Sequence, residues 1–394
     1  MAISTRIQAA DAAFAAVKRF YSSSRYSERR SDPAVSDFTF GNPHELPLPG
    51  LVSAIRERAQ PRDKDWFAYK ASEAEPQAFL AEHVGRELGL AFDSEDIALT
   101  TGAFAAIMVA FHQVLDVGDE AIFSEPAWFC YEPLLLAAAA VPRKVALSAP
   151  TFDLDLPAID AAIGPRTRLV IVNSPHNPTG RIYLREVLTD LADLLERASA
   201  RVGHRIYLLS DEPYRRLRFD GRAFHSPAAV YPWTFISYSY GKVLLAPGQR
   251  LGYLAISPLM PYPERRAFRD SMLSAQMALG WCFPNAVMQY AVPDLETLSI
   301  DRPALARRRD RLMSVLGESG YEVLPPEGTF YLWSRWPKGD PLQLWTRLAD
   351  QNVFVLPGSL MNAPDYFRIS LTASDAMVER ALEAFREVGR HSYA

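Results

Sequence analysis

The segment Ser237-Tyr238-Ser239-Tyr240-Gly241-Lys242, continuing through residues 243–249 to Arg250-Leu251-Gly252-Tyr253, decides how this chain is read. Phe235 and Ile236 before it and Leu251 to Ile256 after it are apolar enough to be buried strands. Lys242 therefore falls in a turn between sheet elements, where a side chain reaches a cleft, with Arg250 eight residues on. An amine half removed from water beside a guanidinium is the kind that attacks carbonyls. A solvated loop lysine is the plainer alternative, and the upstream chain decides between them.

From Ile97 to Ile256 short apolar runs alternate with longer helical stretches. The runs are 121–123, 169–172, 206–209, 235–236 and 251–256; the apolar spacing of 105–115 and 184–200 is that of helices. This alternation predicts an α/β fold, a mostly parallel central sheet with helices on both faces. Ligands of such sheets bind beyond the carboxyl ends of the strands. Beyond Pro284, strands expected at 321–323, 329–333 and 367–371 and helices at 302–316 and 376–388 predict a smaller α+β domain. The expected division is 1–50 as an N-terminal arm and part of the small domain, 51–290 as the large domain, and 291–394 as the small one. Arg307-Arg308-Arg309 reads as a solvated helix face. Near the start, residues 1–30 are rich in Arg and Ser and poor in acids, a faint likeness to a transit peptide. Ile3, Ile7, Ala10, Phe14 and Val17 nevertheless share one helical face and predict a docking helix.

Composition narrows the function. The 394 residues exceed the size at which one core stops growing. A net charge of −4 gives no electrostatic reason to expect nucleic acid or an anionic membrane. Cys130 and Cys282 make neither a disulfide framework nor a metal-ligand spacing, so a reducing cytoplasm is expected and no metal. The longest apolar run, 134–141, is far too short to span a bilayer.

Residues just past the strand ends form a complementary set. After Leu99, Thr100-Thr101-Gly102-Ala103-Phe104 opens a helix whose free N–H groups suit an anion. After Phe123, Trp128 is either a core side chain or a cover for a flat ring. After Val172, Asn173-Ser174-Pro175-His176-Asn177-Pro178-Thr179-Gly180 is a rigid loop offering the Asn177 amide. After Leu209, Asp211-Glu212-Pro213-Tyr214 sets a phenol three residues past a carboxylate that can otherwise serve as an N-cap. An anion cradle, an aromatic face, an amide, a carboxylate, a phenol, a lysine and an arginine are what a phosphorylated, cationic aromatic aldehyde needs when held as an imine.

These three segments, Asn173 to Gly180, Asp211 to Tyr214 and Ser239 to Gly252, resemble those of the class I/II aminotransferases, the fold-type-I family dependent on pyridoxal 5′-phosphate (PLP). The likeness runs from about Phe38 to Ile369. It implies that Lys242 binds PLP covalently and shuttles the substrate proton, that Asp211 pairs with the pyridine nitrogen, and that Tyr214 and Asn177 bond its phenolic oxygen. It implies a phosphate site from Ser239, Arg250 and the N–H groups of Ala103 and Phe104, with Trp128 stacked on the ring. Arg368 then grips the substrate carboxylate, with Gly41 allowing close backbone approach; a structural salt bridge is the alternative for Arg368. Tyr69 would reach the phosphate of a neighbouring subunit in a homodimer, although Ser72-Glu73-Ala74-Glu75-Pro76 replaces the usual glycine spacing after it. Some aspartate-using relatives carry a lysine where Phe104 stands, so an apolar or aromatic substrate is the expectation here. The Tyr240-Gly241 pair before the lysine is unusual for the family. The activity implied is ping-pong amino transfer from an L-amino acid to a 2-oxo acid. A β- or γ-eliminating lyase of the same fold and a non-catalytic sensor are the alternatives.

Overall fold

A computed structural model describes residues 3–336 and 339–390. The strands, in chain order, are β1 (Ser36–Phe38), β2 (Ile97–Thr100), β3 (Glu120–Glu125), β4 (Val141–Ala146), β5 (Thr167–Asn173), β6 (Tyr207–Asp211), β7 (Thr234–Ser239), β8 (Gly252–Ile256), β9 (Glu322–Leu324), β10 (Tyr331–Arg335), β11 (Val353–Pro357) and β12 (Tyr366–Ser370). They form a seven-stranded sheet, β2-β8-β7-β6-β5-β3-β4, and a five-stranded sheet, β1-β11-β12-β10-β9.

The seven-stranded sheet is parallel through β4, β3, β5, β6 and β7, and β8 runs antiparallel to both its neighbours. Every residue of β2, β7 and β8 is buried, which accounts for the unbroken apolar run at 251–256 and for the apolar pair 235–236. Helices Ala103–Val114 and Arg185–Val202 occupy the positions expected of them. The first buries seven consecutive residues, Ala105 to Phe111, so it lies within the core rather than over it. Strand β4, whose residues are mostly half-buried or exposed, had no apolar run to betray it. The run 134–141 divides between a short helix, Tyr131–Ala137, and the start of β4.

The smaller sheet has the expected antiparallel strands, shifted by one to two residues, together with β11 and the parallel β1. Register pairs Arg368 with Trp333 on one side and Leu356 on the other, which fixes a guanidinium in mid-sheet. The arginine run is not simply a solvated face. Arg308 and Arg309 are buried, Arg308 paired with Glu45 and Asp375 and Arg309 with Asp220 and Asp310, because helix Arg302–Glu318 turns this side toward the rest of the chain. The N-terminal helix forms over Thr5–Ser22, capped by Ser4. The helix packs on Tyr131–Ala137, but of its predicted face only Val17 is buried, and Ile3 and Ile7 stay exposed.

Candidate active site

The carboxyl ends of β5, β6 and β7 open into a cavity of about 330 Å³, closed on the other side by β10, β12 and the segment after β1. Gly41, Ala103, Phe104, Trp128, Asn177, Asp211, Tyr214, Ser239, Lys242, Arg250 and Arg368 all line it. Eleven of the twelve residues singled out in the sequence therefore meet in one place. Tyr69 does not: it is 90% exposed, its ring 5.3 Å from that of Phe283.

At the floor, Asp211 ends β6 with its carboxylate almost wholly buried. Tyr131 donates to its Oδ2 at 2.6 Å, and Asn173 Nδ2 lies 3.4 Å from the same oxygen. Its Oδ1 is buried without a hydrogen-bond partner. Burial raises the Asp211 pKa to about 6, against the opposing pull of Tyr131, Ser237 and Lys242. An unsatisfied buried acceptor is costly unless a donor completes it. The arrangement fits a cationic N–H placed at Oδ1, as a protonated pyridine supplies.

Lys242 lies on a single helical turn, Tyr240–Val243, directly after β7 rather than in an irregular loop. Its Nζ is 5.6 Å from the Tyr214 ring centroid. The unusual Tyr240 is buried and donates its hydroxyl to Glu296 at 2.5 Å, pinning this turn from behind. Gly241 is required there by close approach, since a Cβ would sit 2.9 Å from Pro247 Cα.

The segment expected to cradle an anion opens a helix. Gly102, at φ +89°, precedes helix Ala103–Val114 with no side-chain cap, leaving the N–H groups of that first turn free. The Arg250 guanidinium packs against Gly102, where a Cβ would come within 2.8 Å of it, and donates to Pro247 O. Arg250 itself holds a left-handed φ of +50°, a strained conformation of the kind found at functional sites.

Opposite the floor, Arg368 is 2% exposed. It donates to Asn177 Oδ1 at 2.8 Å and to Thr39 O at 3.0 Å, and lies 3.8 Å over the Tyr331 ring. Its Nε has no partner, and among the described residues no carboxylate pairs with it. The salt-bridge alternative thus fails, and a buried guanidinium without a counter-charge fits an incoming carboxylate. At Gly41 a Cβ would meet the Phe330 ring at 2.6 Å and the Tyr331 hydroxyl at 2.7 Å.

Several site residues escaped the sequence reading. Asn173 organises the loop, its Oδ1 accepting from Asn177 N at 2.7 Å while its Nδ2 donates to Asp211 O at 2.8 Å. Tyr131 was findable, one helical turn past Trp128, but nothing at that spacing names its target. Tyr331 packs edge-on against Tyr214, with ring centroids 5.9 Å apart. Burial opposes ionisation of both phenols. At Tyr331 the charges of Arg368 and Lys242 outweigh it and hold the pKa below the ordinary value, while Tyr214 is held well above its own.

Known proteins match this geometry. A chain from Eubacterium rectale described as an amino transferase superposes with a TM-score of 0.87 at 26% identity, over 100% of this chain and 97% of that one. Thermus thermophilus aspartate aminotransferase with maleate gives 0.81 at 28% identity, over 98% and 100%. In sequence, the aspartate/prephenate aminotransferase of Thermus thermophilus is 32% identical over 372 residues, 91% of this chain and 92% of the relative. These names favour amino transfer over the eliminating and sensor alternatives. The family described as aminotransferase class I and II matches residues 34–385, nearly the whole length that holds both sheets and the cavity, and the chain belongs to that family.

Proposed function

We propose that this aminotransferase binds pyridoxal 5′-phosphate on Lys242 and moves an amino group from an L-amino acid to a 2-oxo acid in two half-reactions. The observation that carries the reading is a pair of open valences on opposite walls: the free Oδ1 of Asp211 and the free Nε of Arg368, with Lys242 lining the same cavity. When bound, PLP supplies an electron sink for the substrate Cα.

The chain's residues supply the rest. Asp211, held by Tyr131 and Asn173, keeps a cation at its Oδ1. Ser239, Arg250 and the N–H groups of Ala103 and Phe104 take the phosphate. Tyr214, with Asn177, faces the ring oxygen, and Trp128 covers the ring. Arg368 takes the substrate carboxylate in a fork, with Gly41 leaving room for it. Lys242 takes the proton from the substrate Cα and holds it until it is returned.

The two sheets head two domains, 51–290 and 291–394 with the arm 1–50. A cytoplasmic homodimer completes the reading. The exposed Tyr69 and Phe67, with Leu273 and Met277 one turn apart on helix Tyr262–Leu279, leave an apolar surface that a second subunit covers, with Tyr69 reaching the partner's phosphate. Free cysteines, and the absence among the described residues of any helix long and apolar enough to cross a membrane, accord with that location.

The test is Lys242→Ala. Borohydride reduction followed by mass measurement shows covalent PLP on the native chain and none on the variant, which also loses nearly all turnover. Undiminished transamination by the variant sinks the proposal.

A further inference from the structure

We infer that the cavity contains a subsite for a large apolar, above all aromatic, amino-acid side chain, and that Phe14 of the N-terminal helix is a specificity-determining residue in it. The inference rests on the aminotransferase reading above and names its substrate class.

Five aromatic side chains that line the cavity come from four separate stretches of chain: Phe14, Phe40, Phe104 and the adjacent Trp128 and Phe129. They fall into two clusters joined in the chain at Trp128-Phe129. Phe104 meets Trp128 edge-on at 4.8 Å, while Phe129 meets Phe14 at 6.0 Å and Phe40 edge-on at 6.5 Å. All five are only partly buried. With Trp128 given to the cofactor ring, the apolar area left open on Phe14, Phe40, Phe104 and Phe129 favours a ligand that covers it, and ring edges and faces at these spacings suit another ring. Phe14 is held in place, since Phe20 and Tyr21 of the same helix both pack on Phe40, at 6.1 and 5.8 Å.

Charge points the same way. The cations lining the cavity are Lys242, Arg250 and Arg368. Lys242 is needed at the amine and Arg368 at the α-carboxylate, and Arg250 is committed to Pro247 O and the Gly102 cradle. A second substrate carboxylate would therefore lie against aromatic rings without a counter-ion, whereas a phenyl or indole ring meets surface of its own kind.

The experiment uses the PLP-loaded protein. The rate of the first half-reaction is measured with L-phenylalanine, L-alanine and L-aspartate, and equilibrium binding with the unreactive 3-phenylpropanoate and succinate. The expected kcat/KM for L-phenylalanine exceeds that for L-aspartate ~100-fold or more, and 3-phenylpropanoate binds more tightly than succinate. Phe14→Ala narrows the phenylalanine-to-alanine ratio about tenfold, and Phe14→Leu, which keeps the helix packed, narrows it by less. Equal or better use of L-aspartate, or a ratio unmoved in folded Phe14→Ala and Phe14→Leu, overturns the subsite while leaving aminotransfer intact. If no amino acid reacts, the underlying reading falls. Succinate binding as tightly as 3-phenylpropanoate then separately overturns the subsite.

Discussion

Asp211 and Glu212 are neighbours in sequence and both almost wholly buried, and a buried arginine lies on each side of them, Arg368 across the cavity and Arg215 beside Glu212. On the side away from the cavity, Glu212 accepts from Ser210 and Ser226 and faces Arg215 at 3.5 Å, while Arg215 also pairs with Glu87 at 2.9 Å. The Arg215 guanidinium lies 4.4 Å over the Tyr238 ring. On the cavity side, Asp211 and Arg368 are surrounded by neutral partners, and neither meets an opposite charge of its own. Buried carboxylates and guanidinium groups at the same depth thus face opposite charges on one side and none on the other. Burial alone does not mark function, nor does an unpartnered atom, since Glu212 Oε2 and the Arg215 Nη atoms also lack hydrogen bonds; a buried charge without a counter-charge does.

The sharpest way to break this contrast is to neutralise each carboxylate with its isosteric amide. Asp211→Asn keeps the shape and removes the charge that would hold a cation at Oδ1. We expect kcat/KM to fall on the order of 10³-fold, with PLP retained only weakly and the thermal midpoint no lower than the native one. Glu212→Gln is expected to stay within about threefold of native activity. Comparable losses in the two variants would remove the distinction between the faces.

The arginines follow. Arg368→Lys keeps a charge but cannot serve Asn177, Thr39 and a carboxylate together. Its expected effect is a rise in substrate KM of about 100-fold, with PLP binding unchanged. A loss of PLP instead would reassign Arg368 to cofactor binding.

Next is stability against pH. Burial raises Glu212 from an ordinary 4.5 to about 7, against the opposing charge of Arg215. The folded chain then binds a proton more tightly than the unfolded one. This contribution is therefore fully present below about pH 4.5 and lost as pH rises through 7. At 1.36 kcal/mol per pKa unit the loss is about 3 kcal/mol. Denaturant unfolding of the PLP-free protein at pH 5 and pH 8 should show a smaller decline in Glu212→Gln than in the native chain. An equal decline in both would place the titrating group elsewhere.

Much of this was legible in the sequence, for a physical reason. Strands buried on both faces leave apolar runs, and the residues just past them are set at the cavity by topology, so Lys242, Asp211, Asn177 and Ser239 could be located by counting. β10 and β12, also mostly buried, showed for the same reason. What stayed hidden depended on pairing between distant elements. Strand β4 has little buried surface, and whether Arg308 and Arg309 face solvent was decided by Glu45, Asp220 and Asp375, far away in the chain. The closure of Glu212 and the openness of Asp211 rest on which hydroxyls and guanidinium groups arrive in space, and no spacing records that.

Tyr131 provides the finest test, because it is the strongest neutral partner of the open carboxylate. Its hydroxyl donates to Asp211 Oδ2 and so favours the ionised form against the burial that raises the pKa to about 6. Only the ionised carboxylate can hold a cationic nitrogen, so PLP uptake by the cofactor-free protein should fall as pH drops through about 6. Tyr131→Phe removes that donor and leaves a second oxygen of Asp211 poorly satisfied. The acid limb of PLP uptake should then move to higher pH, with uptake near pH 8 falling by no more than about tenfold, the scale of one hydrogen bond to a charged group. If the limb stays put while uptake falls at every pH, Tyr131 acts by packing against Trp128, its edge-to-face neighbour at 5.4 Å, and not through the proton on Asp211.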